Sequence, residues 1–143
     1  MRKARGYRNN NPLNIRKGQA WLGLSKTQTD QSFAQFVDMV YGYRAAFIIM
    51  AKTYRGRGIR TIADIIRTFA PSTENNTEAY IRYVEKEMKA QFGYIRDTEM
   101  PEPTSDSFLY WNGLVTAMTI YENGHYVCEI YHAIQEGWNM AFP

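Results

Sequence analysis

"FLYWNGLVTAMTIYENG", residues 108–124, decides the fold. The stretch is apolar almost all round, and a helix of that kind is buried on most sides. The rest of the chain must therefore wrap around it. Its interior Gly113 costs about 1 kcal/mol against Ala, which predicts close packing at that point. Asp106 or Ser107 is the expected cap. Glu122 closes the stretch and Asn123-Gly124 ends it. The C-terminal end of a helix is partially negative and disfavours an anion, so this carboxylate is placed poorly for stability.

Four more helical patterns surround this one. From Asp38, Val40, Tyr43, Phe47, Met50 and Tyr54 form one stripe, ended by Gly56 or Gly58. Thr61 to Asp64 reads as a capped start, and Ile62, Ile65, Ile66 and Phe69 make an apolar face that stops at Pro71. Asn76 or Thr77 opens a helix with Tyr80, Ile81, Val84, Met88 and Phe92 on one side and Gly93 at its end. "YVCEIYHAIQEGWNMAF", 126–142, aligns Val127, Ile130, Ile134 and Trp138. Residues 6–36 differ, being rich in Gly, Asn, Thr and Gln with short apolar-aromatic pieces, which predicts a β-hairpin or three-stranded lobe within 12–37. The expected fold is mainly α (α+β), one domain over 1–143.

The chain holds 143 residues, 45% apolar and 15% aromatic, with eleven tyrosines. That suits one compact core. Cys128 is the single cysteine, so no intrachain disulfide is expected, and its apolar surroundings predict a small buried hydrophobe. No apolar run reads as a secretory signal or a membrane span. The expected site of synthesis is the cytoplasm, with any action outside depending on carriage or release by something else.

Net charge is +3 but unevenly spread: residues 1–67 carry +10 and residues 97–143 carry −7. Either these regions form opposite faces, the basic one suited to an anionic polymer, or they pack together and neutralise each other. Nucleic acid is not the expected partner, since only Arg2, Lys3, Arg5 and Arg8 approach a concentrated basic footprint.

Desolvation and the negative helix end both raise the pKa of a carboxyl at position 122. An acid that keeps its proton near neutrality is what glycosidic cleavage requires. The competing reading is a surface Glu in a last helical turn. His125 and His132, spaced seven apart with Cys128 between them, match no zinc pattern. No Ser-His-Asp or Cys-His order and no phosphate loop is present, so neither a metal nor a cofactor is implied.

"RNNNPLNIRKGQAWLGL" (8–24), Phe33, Phe36 and "YGYRA" (41–45) resemble the segment after the catalytic helix in bacterial cell-wall glucosaminidases. "TENNTEAYIRYV" (73–84) resembles the Thr-x-x-Tyr-Val-x-x-Val helix of lysozyme-like lytic transglycosylases, and "YENGHY" (121–126) resembles the Glu-Ser/Asn-Gly closing their catalytic helix. Together they resemble a phage and prophage virion-structural family related to the lysozyme superfamily. The order departs from ordinary lysozyme-like enzymes: nothing of helical length precedes Asn9, so the Glu helix comes last, as after circular permutation.

The resemblance implies a peptidoglycan-cleaving enzyme, or a non-catalytic virion or wall-binding module on the same fold. Peptidoglycan and other virion proteins are the implied partners. Glu122 is then general acid and base. Asp30 is the candidate second carboxylate, or else only a turn former. Asn9, Asn10, Asn11, Trp21 and Tyr80 are candidates to line the sugar cleft, the asparagines alternatively serving only to hold a tight loop. Glu74 is a rival acid ranked second, because a helix N-terminus lowers a pKa.

Overall fold

The computed structural model describes residues 3–73 and 75–143. Arg2 and Glu74, both singled out above, lie outside the described residues. The helices are α1 (Arg5–Arg8), α2 (Met39–Phe47), α3 (Tyr54–Gly56), α4 (Ile62–Phe69), α5 (Thr77–Phe92), α6 (Phe108–Asn123) and α7 (Glu129–Ala141). Between α2 and α3 the backbone runs on as a π-helix, Ile48–Thr53, so the stripe that begins at Asp38 forms one rod to Gly56.

The caps explain the boundaries. The side chain of Asp38 accepts from the amide of Val40, that of Thr61 from Asp64, and that of Asn76 from Ala79. These bonds satisfy amides that a helix start leaves without partners. α6 starts differently: a Thr104–Ser107 capping box closes the 3-10 turn Ser105–Ser107, and Ser107 makes no side-chain cap for α6 itself. Gly124 ends α6 at φ 85°, a left-handed conformation that costs Gly little.

α6 buries Trp111, Gly113, Leu114, Val115, Ala117, Met118, Thr119 and Asn123, more than any other described helix. α5 packs along it, and a Cβ at Gly113 would stand 2.6 Å from Phe92 Cε2, so a larger residue there would displace the Phe92 ring. α2 packs along α7, where Phe47 and Trp138 meet edge to face at 5.1 Å. Inside the core the Tyr43 hydroxyl and the Thr119 hydroxyl lie 2.9 Å apart, tying α2 to α6.

Two expectations are corrected. The β-hairpin lobe over 12–37 is not formed; the described residues there make only the isolated bridges Arg16–Phe33 and Leu24–Phe36. The cause is visible in the side chains. Asn11 bonds the amide and carbonyl of Ile15 and the carbonyl of Ala34. Gln28 bonds both the amide and carbonyl of Gln35, and Asp30 takes the amides of Ser32 and Phe33. Side chains thus occupy backbone groups that a ladder would use. The fold is mainly α. Cys128, expected to be buried, is exposed, with its thiol 3.2 Å from Glu129 Oε1. It lies just before α7 begins, ahead of the helix's buried stripe.

Candidate functional site

The polar loop and the end of α6 are drawn together by contacts that cross nearly the whole chain. Asn123 Nδ2 donates to the carbonyl of Pro12 at 2.7 Å, and the Tyr7 hydroxyl donates to the carbonyl of His125. Gly6 lies so close to Asn123 that a Cβ there would sit 2.4 Å from its Oδ1. These contacts place the segment 6–14 directly after the end of α6 in space.

Asn14 then reaches the acid. It sits in the left-handed region at φ 54°, which Asn tolerates better than most residues. Its Nδ2 donates to Glu122 Oε1 at 2.8 Å. Glu122 is half-buried, and burial pushes its carboxyl above the usual range; the bonds from Asn14 and Tyr80 pull partly the other way. Tyr80 is 1% exposed. Its hydroxyl lies against the Glu122 carboxyl without a fully aligned hydrogen bond and has no other partner. Burial first, then the neighbouring carboxylate, raises the Tyr80 hydroxyl well above its ordinary value.

Three pockets that share lining residues lie beside Glu122 and beyond it, and together they are referred to as the groove. At the acid it is narrow, about 40 Å³, between Leu13, Asn14, Arg16, Phe33, Phe69 and Asn75. Asn14, Arg16 and Phe69 also line the next compartment, about 470 Å³, which Trp21, Thr53, Tyr54 and Arg57 help to wall. Gln19 and Trp21 connect this to a more open shelf of about 700 Å³ bounded by Leu22, Arg44 and Ile48. Ile48, Ile49 and Thr53 all belong to the π-helix, so the widened turn of the rod forms one wall. π-helical turns occur frequently at functional sites.

The candidate residues separate clearly. Glu122 and Trp21 line the groove. Asn9, Asn10 and Asn11 do not: Asn9 bonds Asp30 and Gln35, Asn10 bonds the carbonyl of Phe36, and Asn11 is fully buried inside the loop. Tyr80 stands behind Glu122, too deep to touch a ligand. Asp30 holds the loop. Both its oxygens receive the Arg5 guanidinium at 2.7 Å, and Asn9, Ser32 and Phe33 complete its shell. The Arg5 bond, foremost, holds its carboxyl far below the usual range. Asp30 is absent from the lining of the groove. Asn14 was missed. Its only signal was a fourth Asn, just beyond Pro12, which the turn chemistry of "NPLN" does not distinguish from its neighbours.

Among the described residues no group of three His, Cys, Asp or Glu side chains gathers to hold a metal ion, and no helix is long and apolar enough to cross a membrane. No protein-family model matches the chain. The chain is 34% identical to Protein P5 of Pseudoalteromonas phage PM2 over 144 aligned positions, which span 97% of this chain and 82% of that protein. A likeness of that extent over nearly the full length places the chain in the family of this phage protein.

Proposed function

We propose that this chain is a phage or prophage protein that cleaves the glycan strands of peptidoglycan with Glu122 as a single acid and base. The observation that supports it most is the half-buried Glu122, pushed toward its protonated form and held by Asn14 at the end of the groove. Among the described lining residues Glu122 is the only carboxyl. A one-acid site favours attack by the substrate's own hydroxyl over the two-carboxylate hydrolysis of most glycosidases.

The steps balance without water. Glu122 gives its proton to the glycosidic oxygen, and the bond from that oxygen to the anomeric carbon breaks. The 6-hydroxyl of the same sugar then bonds the anomeric carbon and returns its proton to Glu122. The products are a free hydroxyl on one fragment and a 1,6-anhydro end on the other. Asn14 fixes the carboxyl rotamer, and the Trp21 ring offers a flat face to a sugar. The lysozyme-like frame with its Glu helix last, and carriage in the virion or release to the wall, belong to the same proposal.

A second reading, a non-catalytic virion or wall-binding module, draws on the narrowness of the compartment at Glu122. Digestion of purified sacculi separates the two. Mass spectrometry should find anhydro ends with wild type and none with Glu122→Gln. Reducing ends would mean hydrolysis by an undetected second acid. No soluble product from any wall type would leave the module as the better reading.

A further inference from the structure

Among the described residues that line the middle compartment and the shelf, every charged side chain is a cation. Arg16, Lys17 and Arg57 line its middle compartment, and Arg44 lines the shelf beyond Trp21. Arg57 has no carboxylate partner among the described residues, and Lys17 Nζ donates to a backbone carbonyl, that of Asp30, at 2.8 Å. Two acids from the basic part of the chain are committed elsewhere, Asp30 to Arg5 and Asp64 to Arg67. A cleft lined by one sign of charge concentrates the opposite sign within it. The same walls carry Gln19, Thr53, Thr68 and the rings of Trp21 and Tyr54, groups suited to sugar hydroxyls and sugar faces.

We propose that this groove selects glycans by their carboxylates: Lys17 and Arg57 hold one negative group on the Glu122 side of Trp21, and Arg44 holds a second beyond it. The inference rests on the reading of the groove as a glycan site and adds the class of glycan. The ligand carries a carboxylate at regular intervals, on the sugars themselves or on attached peptides. A neutral homopolymer of N-acetylglucosamine lacks the groups these cations need.

Calorimetric titration of the Glu122→Gln protein tests this without cleavage. The probes are peptide-free glycan strands with intact sugar carboxylates, the same strands amidated with carbodiimide and ammonia, peptide-bearing strands, and a single-stranded oligonucleotide of equal charge. Amidation should weaken binding about tenfold, the product of two exposed charge contacts. Adding Arg57→Gln or Lys17→Gln should each weaken binding to carboxylate strands about threefold to fivefold and leave amidated strands unaffected. Peptide-bearing strands have their sugar carboxyls tied up in the amide link to the peptide, so weaker binding of these strands would assign the carboxylate to the sugar, and equal or tighter binding would assign it to the peptide. Undiminished binding of amidated strands overturns the proposal, as does an oligonucleotide that binds as tightly as the glycan. The titration reads binding alone, so a protein that binds selectively yet cuts nothing refutes the enzyme and not this selectivity. Wild type that cuts amidated strands at undiminished kcat/KM refutes the selectivity alone.

Discussion

Gly137→Ala tests the α2–α7 contact on which one wall of the groove depends. A Cβ at position 137 would stand 2.8 Å from Tyr43 Cβ, 2.9 Å from the Arg44 amide nitrogen and 2.9 Å from the Val40 carbonyl oxygen. Two of these three atoms are backbone, so no side-chain rotation relieves the overlap. Reaching an ordinary carbon–carbon separation moves the helices apart by roughly 0.7 Å. Overpacking of this kind costs about 1–3 kcal/mol. The gap it opens also weakens dispersion around Tyr43, Phe47 and Trp138, all buried here. Ala is favoured over Gly in a helix by about 1 kcal/mol, which offsets part of the loss. The expected net loss is about 1–2 kcal/mol, or roughly 3–7 °C in Tm for a domain of this size. Gly56→Ala is the control. Nothing lies within 4 Å of a Cβ there, so it should be neutral or gain up to about 1 kcal/mol. Thermal unfolding followed by far-ultraviolet circular dichroism reads both. A Gly137→Ala protein that melts with or above wild type would show that α2 and α7 do not approach as described.

Further outcomes follow from the carboxyls and the buried tyrosine. Glu122 has a raised pKa in the fold, so wild type should match Glu122→Gln in stability at acid pH and fall behind it as pH rises through the folded pKa; melts across pH check this, and the reverse trend would mean the acid is not desolvated. Asp30 has a lowered pKa, so its contribution is present near neutrality and lost as pH falls below the ordinary carboxyl range; Asp30→Asn should cost about 1.5–3 kcal/mol at pH 7 in a denaturant titration and nothing in strong acid. Tyr80→Phe removes a hydroxyl with no aligned partner, so stability should change by less than about 0.5 kcal/mol. Loss of the hydroxyl that lies against Glu122 should move the alkaline limb of the proposed cleavage to higher pH, and an unmoved profile would separate Tyr80 from the acid.

The helices were legible because each carries its own periodicity and punctuation. Asn76 and Thr61 cap where their hydrogen-bonding chemistry predicts, and Gly113 packs closely where a costly glycine in an apolar helix implied it. The polar loop was misread as strands because apolar-aromatic pieces between Gly and Asn fit a hairpin pattern; which backbone groups Asn11, Gln28 and Asp30 would take depends on the folded path. That burial raises the Glu122 carboxyl was readable from the apolar helix it closes. Its partner was not. Four asparagines between residues 9 and 14 look alike in sequence, and only the turn that puts Asn14 in a left-handed conformation aims one of them at α6. The π-helix had no signature either, since its apolar spacing passes for an α stripe.

The Asn14–Glu122 hydrogen bond joins residues 108 positions apart, and the Pro12–Asn123 and Tyr7–His125 bonds span 111 and 118. During translation at about 5–20 residues per second, Asn14 waits roughly 5–20 s for its partner to be made. Until then the groove-forming loop has nothing to close against, and a nascent or stalled chain ending before residue 122 carries no acid. Under the proposed glycan cleavage, this connectivity delays competence until synthesis has passed the end of α6. It also makes the site vulnerable to damage near either end of the polypeptide, so proteolytic nicking at residues 6–14 should silence it as surely as truncation before α7.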